Sequence, residues 1–512
     1  MPAHRFIVVI PVADRPRHIQ ACLDSLRELL RRFPYDGSID VLLADDSDDG
    51  ANIAANRQIA ERHRAAGLNV IHFGPDEQFD LCEPLRKILP GVVGNAPRER
   101  FGHKGQGVMR NLAYLKVAQM LRDGPKVSGG DTLIWSLDSD QEFRVNLPQD
   151  DGYVVDFFNG LDAIFARTDA LVLTGKVVGD PPVSPAVMTA NFMADVLAFL
   201  RQMAASAAQA PCRQHDMASR RTGEAAYHDM ADMFGFQSAG EACNYPCPLP
   251  GPHSEADCFA HFASRVNSFF YGEHPTRVSY YQPAELFSTV QPARTVYAGN
   301  YVFRPAALKY FIPFAALRLR MSGPTLGRLI RSEIGDRFVS ANLPMLHKRT
   351  VESGGQSEFR PGIETGRQAI DLTGEFERQF YGDVMLFTIE RLATMDFAGA
   401  VVSDQAIAAT LAAVHAEMLE KYEAKHHDIL GKLATLQALL DEPANWWHSA
   451  AGHALALANF KSFADNVARN FGDDAPGYTR INSAENWHHW RANLLDAIRR
   501  YPLDRRAWEA VV

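Results

Sequence analysis

The sequence predicts an α/β protein, with a parallel sheet covered by helices on both faces and a helical C-terminal part. Three observations carry this. Over the first 180 residues, β-rich runs (FIVVIPV, DVLLADD, LNVIHF, TLIWSLD, ALVLTGKVV) alternate with helical patterns over 17–32, near 52–66 and over 106–122. From about residue 372 the apolar spacing is helical to the end. Several early strands stop at acids or polar turns: Asp14 after VVIPVA, Asp45 and Asp46 after VLLA, and Asp138 and Asp140 after TLIWSL. In parallel α/β sheets ligands sit at the carboxyl ends of the strands, so these acids collect on the functional edge.

The elements follow in order. FIVVIPVA is too short and too soon followed by Asp14 and Arg15 for a signal peptide, and it reads as the first strand. No window approaches the 18–20 uninterrupted apolar residues of a membrane span. Residues 203–260, rich in Ala, Ser, Gly and Pro, read as an insertion or lid, and TGKVVGDPPVSPAVM (174–188), with a lysine, an acid and three prolines, as a rigid loop after a strand, functional or a structural turn. FFYGEHPTRVSYY (269–281) sets aromatic rings beside His274 and Arg277, a combination suited either to a sugar face or to core packing. Strand-like runs return at RVSYY and TVYAGNYVF, and 320–366 reads as irregular. The run 405–441 places Ile407, Leu411, Val414, Met418 and Tyr422 on one apolar stripe, a packing surface. The expected organisation is therefore a domain over 1–370, with its insertion, and a helical domain over 371–512.

With 512 residues and 46% hydrophobic content the chain is long enough for a catalytic body and a further module. A net charge of −9 gives no electrostatic case for a nucleic-acid or anionic-membrane partner. Six cysteines are too few for a disulfide framework and point to the cytoplasm. Of these, Cys243, Cys247 and Cys258, with His253, Cys212 and His215, could assemble a structural zinc, but the spacing follows no standard module and free buried or loop cysteines are the better reading.

Two carboxylates at the end of a buried strand are costly unless something offsets their charge, and a divalent cation is the usual compensation. One intervening residue lets both side chains of an extended chain point the same way. Downstream, GHKGQGVMRNLAYLKVAQ (102–119) opens a helix with glycines and Lys104, a backbone suited to approach phosphate. Further on, His347 follows an apolar run in ANLPMLHKRT and offers an imidazole to a metal, with Lys348 and Arg349 beside it either placed to neutralise an anion or simply solvated.

Together, VVIPVADRP, ADDSDDG, the Gly/Lys loop leading to Arg110 and Asn111, and the strand-ending D-x-D resemble a GT-A glycosyltransferase of the family-two type. The resemblance covers roughly residues 5–180 and 290–350. It implies a Rossmann-like nucleotide-sugar domain with a mixed central sheet. Pro11, Asp14 and Asp45 would line the uridine or guanosine pocket, Lys104, Arg110 and Asn111 would serve the phosphates, and Asp138 the sugar end. Asp138, Asp140 and His347 would hold Mn²⁺ or Mg²⁺.

The implied activity is transfer of a hexose from a UDP- or GDP-sugar to a small hydroxylated or carbohydrate acceptor. The C-terminal helices offer a surface for homo-oligomers. Inverting members place an acid near the acceptor helix as general base. Here MSGPTLGRL holds none, and the nearest acids are Glu333 and Asp336. Either one of these is the base, or the enzyme retains configuration, as do the mannosylglycerate and glucosyl-phosphoglycerate synthases to which the spacing is similar. Two rivals stand beside this reading. A sugar-nucleotide nucleotidyltransferase needs a glycine-rich loop after the first strand, where VVIPVADRPRH has no glycine. The other is a non-catalytic sugar-nucleotide binding or scaffold protein.

Overall fold

The computed structural model describes residues 3–123, 131–147, 151–213, 242, 244–296, 299–312, 314–349, 364–365, 369–395, 397, 402–449 and 451–512. Among them, nine strands make the central sheet: β1 (Arg5–Val12), β2 (Ile39–Asp45), β3 (Asn69–Phe73), β4 (Thr132–Leu137), β5 (Gln141–Glu142), β6 (Val172–Gly179), β7 (Gln291–Pro292), β8 (Asn300–Phe303) and β9 (Phe338–His347). The spatial order is β3-β2-β1-β4-β8-β6-β9-β5, with β7 on β9. The first four are parallel, and β8 enters antiparallel between β4 and β6. The sheet is thus mixed. Alternating strand and helix patterns predict only the parallel part, because β8 is four residues long and arrives through an irregular connection.

Strand β1 shows why both faces are covered. Phe6, Val8, Ile10 and Val12 join the core on one face, with Leu23 and Leu26 of helix Pro16–Arg32 and Phe158 of helix Phe157–Arg167. Ile7 and Val9, one step out of phase, join the core on the other. That second core also takes in Leu112 of helix Gln106–Asp123, Phe376 and Phe380 of Thr373–Ala393, Leu411 of Asp404–Asp441 and Trp508 of Ala484–Glu509. One apolar body therefore runs from beneath the sheet into the C-terminal helices. The stripe Ile407, Leu411, Val414, Met418, Tyr422 is buried throughout, as its spacing predicts.

Three expectations change. Segment 174–188 is a loop only over 180–184, since β6 runs to Gly179 and the helix Pro185–Ala204 follows, with Ser184 as its cap and Pro185 in the first turn, where a missing N–H costs nothing. Segment 320–366 contains helix Ser322–Ile334 and the ten-residue β9. The glycines that suggest irregularity there have a packing reason: a β-carbon on Gly327 would lie 2.5 Å from Val296 N. RVSYY forms only an isolated bridge, Gly179 with Ser279. The rings of Phe269 and Phe270 are fully buried and pack on Phe463, so this aromatic run is core. Much of the 203–260 insertion, including His215 and Cys243, lies outside the described residues. No helix among the described residues is long and apolar enough to cross a membrane.

Candidate active site at the strand ends

Strands β1, β2, β4 and β9 deliver Asp14, Asp45 and Asp46, Asp138 and Asp140, and His347 to one edge. Asp14 has a left-handed backbone (φ 51°). Its N–H donates to Ser47 Oγ (2.8 Å), and its carboxylate accepts from Asp48 N and Asp49 N (3.2 Å each) and from Asn52 Nδ2 (3.0 Å). His103 Nε2 approaches the same carboxylate at 2.5 Å. Asp14 thereby ties together the loop after β1, the loop after β2 and the segment preceding helix Gln106–Asp123.

Asp45 is fully buried, and its carboxylate accepts from Ser47 N (3.0 Å) and Asn56 Nδ2 (3.1 Å), with His72 Nε2 at 2.9 Å. Burial pushes its carboxyl up, but the bonds from His72, Ser47 and Asn56 outweigh burial and hold it below the usual range. Asp46, unassigned by the sequence, faces the glycine loop. It accepts from Lys104 N (3.1 Å) and Gly105 N (3.2 Å), and Lys104 Nζ lies 2.6 Å away. Burial raises its carboxyl despite Lys104. The Lys104 ammonium is therefore turned inward, to Asp46 and the Phe101 carbonyl (2.6 Å), rather than out toward a phosphate. Asn111 also points away, donating to the Val92 carbonyl (2.9 Å), because neighbouring side chains on a helix diverge by about 100°. Pro11 lies buried within β1, opposite Ala44 of β2.

Arg110 points to the site. Its guanidinium lies 2.5 Å from Asp138, which also accepts from Gln106 Nε2 (2.6 Å). Burial raises the Asp138 carboxyl, and Arg110 opposes that. A small cavity beside Arg110 is lined by Tyr114, Tyr301, Ser322 and Gly323, at the start of the helix Ser322–Ile334.

Asp140 is buried, and three groups converge on its Oδ2: Arg349 Nη1 (3.3 Å), Arg15 Nη1 (3.4 Å) and His347 Nε2 (3.5 Å). Burial alone would raise this carboxyl, but His347, then Arg349 and Arg15, override it and hold it well below the usual range. His347 Nδ1 donates to the Asp180 carbonyl (2.6 Å), which fixes the tautomer and leaves Nε2 facing Asp140. The Asp180 carboxylate accepts from Arg349 N (2.9 Å) and so locks β6 to the residues after β9. Nε2 then meets the Asp140 oxygen either as a protonated donor or, when neutral, as a second acceptor, and in the neutral form this oxygen and nitrogen fit a divalent ion by their chemistry. Asp138 does not join them. Among the described residues the donor atoms of Asp138, Asp140 and His347 do not form a cluster within 4.8 Å, because Arg110 and Gln106 hold Asp138.

Glu333 and Asp336 are elsewhere. Both precede Phe338, the first residue of β9, whereas His347 is its last, and ten extended residues span about 30 Å. Glu333 pairs with Arg505 (3.1 Å) and Asp336 with Arg331 (3.0 Å). The structure does not bring either acid to the strand-end site.

Sequence reasoning missed the cations. Arg15, Arg318 and Arg320 carry no motif signal. Arg318 (φ 51°) lies beside Gly105, where an added β-carbon would sit 3.5 Å from Arg318 Cγ. Arg320 binds Glu375, and burial, helped by Arg320 and Arg15, pushes the Arg349 guanidinium down against the pull of Asp140. The described non-glycine residues with positive φ are Asp14, His103, Arg318 and Met321. Each such conformation costs about 1 kcal/mol or more, and all four belong to the loops around this edge.

No protein-family model matches the chain, and no curated protein matches it. Solved structures overlap it in outline. A mannosyltransferase from Pyrobaculum calidifontis in complex with GDP-Man and Mn²⁺ is 11% identical, with 91% of this chain and 87% of that one covered at a TM-score of 0.35. Mannosyl-3-phosphoglycerate synthase from Rubrobacter xylanophilus is 12% identical, with 68% of each chain covered at 0.28. TarS from S. aureus is 13% identical, with 91% of this chain and 55% of that one covered at 0.30. Glycosyltransferases thus stand among the solved structures that this mixed α/β chain overlaps.

Proposed function

We propose that the protein is a metal-dependent glycosyltransferase that moves a hexose from a UDP- or GDP-sugar to an acceptor hydroxyl. The observation that carries this reading is the facing pair Asp140 and His347, set among Arg15 and Arg349 at the carboxyl edge of the sheet. Asp140 Oδ2 and His347 Nε2 would hold Mn²⁺ or Mg²⁺. When bound, such an ion supplies Lewis-acid stabilisation of the leaving diphosphate.

The protein's own groups do the rest. Arg15 and Arg349 stand ready to share the diphosphate charge in a site where burial strengthens each interaction. Asp138, held by Arg110 and Gln106, presents its remaining acceptor capacity to a sugar hydroxyl. Asp14 and Asp45 shape the nucleoside side by fixing the loops after β1 and β2. No side-chain base emerges from residues 321–329, so the acceptor proton passes to the leaving phosphate oxygen and configuration is retained.

Thermal shift with UDP-, GDP- and ADP-hexoses, with and without Mn²⁺, tests this. The expected result is a stabilisation by one donor class that requires the cation and disappears in Asp140→Ala and Asp140→Asn. Chelator-insensitive donor binding, unchanged in both variants, would reject the metal assignment.

A further inference from the structure

Away from the strand ends, three thiols meet. Cys212 lies just beyond the helix Pro185–Ala204, Cys247 sits in an extended stretch, and Cys258 belongs to the helix Glu255–Arg265. Their Sγ atoms all lie within 4.8 Å of one another, and this is the group of metal-ligating side chains that stands out among the described residues. His253 Nε2 lies 3.2 Å from Cys247 Sγ, outside the mutual 4.8 Å group that the three thiols form but at its border. We propose that Cys212, Cys247, His253 and Cys258 form a structural zinc site, unrelated to the metal pair at the strand ends.

The chemistry of the donors favours zinc. Three sulfurs and an imidazole are the soft and borderline ligands that zinc takes in closed tetrahedral sites, whereas the oxygen-rich edge of the sheet suits Mn²⁺ or Mg²⁺. At a Zn–S distance of about 2.3 Å, tetrahedral sulfurs sit about 3.8 Å apart, within the spacing found here. A disulfide would use two of the thiols and leave the third beside it, and none of the three is in a disulfide.

The surroundings are also those of a ligand set. His253 Nδ1 donates to the Gly251 carbonyl (2.9 Å), which directs Nε2 to Cys247 Sγ.

The backbone is fixed in advance. Cys212 N donates to the His253 carbonyl (2.9 Å) and Glu255 N to that of Ala210 (2.8 Å). Pro211 bridges Ser254, and a Ser254/Asp257 capping box sets the start of the helix that carries Cys258. Four protein donors leave no open position, so the site staples structure and does no chemistry.

Metal analysis of the full chain, purified without chelator, tests the proposal. About one zinc per chain is expected, retained in Asp140→Ala and lost in Cys258→Ala and Cys247→Ala. Replacement by Co²⁺ in the parent protein should give thiolate-to-cobalt charge-transfer bands that change in His253→Ala, a readout that does not depend on the cysteine variants folding. Zinc-free protein that cannot be reloaded, cobalt spectra without thiolate bands, or a disulfide between two of the three cysteines by mass spectrometry would each overturn it. Because Asp140→Ala is expected to keep its zinc, failure of the glycosyltransferase reading and failure of this one are separable.

Discussion

Asp14 and His103 lie 2.5 Å apart, side chain to side chain, and both hold left-handed backbones, so one contact pins two strained turns from distant parts of the chain. The loop after β1 and the loop before helix Gln106–Asp123 are therefore set jointly. Asp14→Ala removes the acceptor for Asp48 N, Asp49 N and Asn52 as well, and is expected to cost about 1–3 kcal/mol. His103→Gly relieves the strain while losing the contact, so it is expected to destabilise less than Asp14→Ala yet weaken donor binding. A double-mutant cycle in urea should give a coupling of about 0.5–3 kcal/mol, and strict additivity would show that the contact carries nothing.

Gly299 sits against the D-x-D motif. A β-carbon there would lie 2.5 Å from Gln141 Nε2 and 2.9 Å from Asp138 Oδ2. Both neighbours are ends of flexible side chains, so Gly299→Ala should shift Asp138 from its place without unfolding the chain. Donor turnover is expected to fall at least ten-fold while Tm stays near the parent value. A large loss of Tm with normal turnover would place the effect in packing instead.

Retention of configuration can be read from the product. An α-linked product from an α-linked donor is expected, by NMR of the anomeric proton. Glu333→Gln should leave turnover at the parent level and cost at most about 1 kcal/mol through the partly exposed pair with Arg505. A β-linked product together with a collapse of turnover in this variant would return Glu333 to the role of base.

Asp383 supplies a pH test. It is buried in the helix Thr373–Ala393, accepts from Tyr422 OH (2.6 Å) and Gln379 Nε2 (2.8 Å), and burial pushes its carboxyl up to about 7, against the pull of those bonds and of Arg320 and Lys421. In the unfolded chain it titrates near 4. The folded chain keeps a proton that the unfolded chain releases between these values. The stabilisation is therefore complete below about pH 4 and is lost as pH rises through about 7, at no more than about 1.4 kcal/mol per pH unit. Asp383→Asn is expected to flatten this part of the Tm–pH profile. An unchanged slope would show that the carboxylate is ionised in the fold.

The main elements were legible because their periodicity is strong: β1, β2 and β4 as unbroken apolar runs, and Asp404–Asp441 as a stripe every three or four residues. The place of Asp138, Asp140 and His347 at one sheet edge was legible because each follows or ends an apolar strand. What the sequence hid was partnership. Lys104 and Arg110 look equally suited to phosphate, yet buried Asp46 claims the first while the second faces Asp138. The roles of Arg318 and Arg320 depend on a left-handed turn between two non-glycine residues, for which no local residue preference gives a sign.

The hold of helix Thr373–Ala393 on the turn at 318–321 bears on protein engineering. Glu375 seats Arg320, Arg378 donates to the Arg318 carbonyl (2.7 Å), and a β-carbon on Gly382 would lie 2.6 Å from the Arg320 carbonyl. The half that carries the strand-end site is thus no interchangeable cassette. A chimera that keeps residues 1–370 and takes its remaining helices from another protein would inherit every acid of the site, but its arginines would lose the carboxylate and the close-fitting glycine that hold them in place.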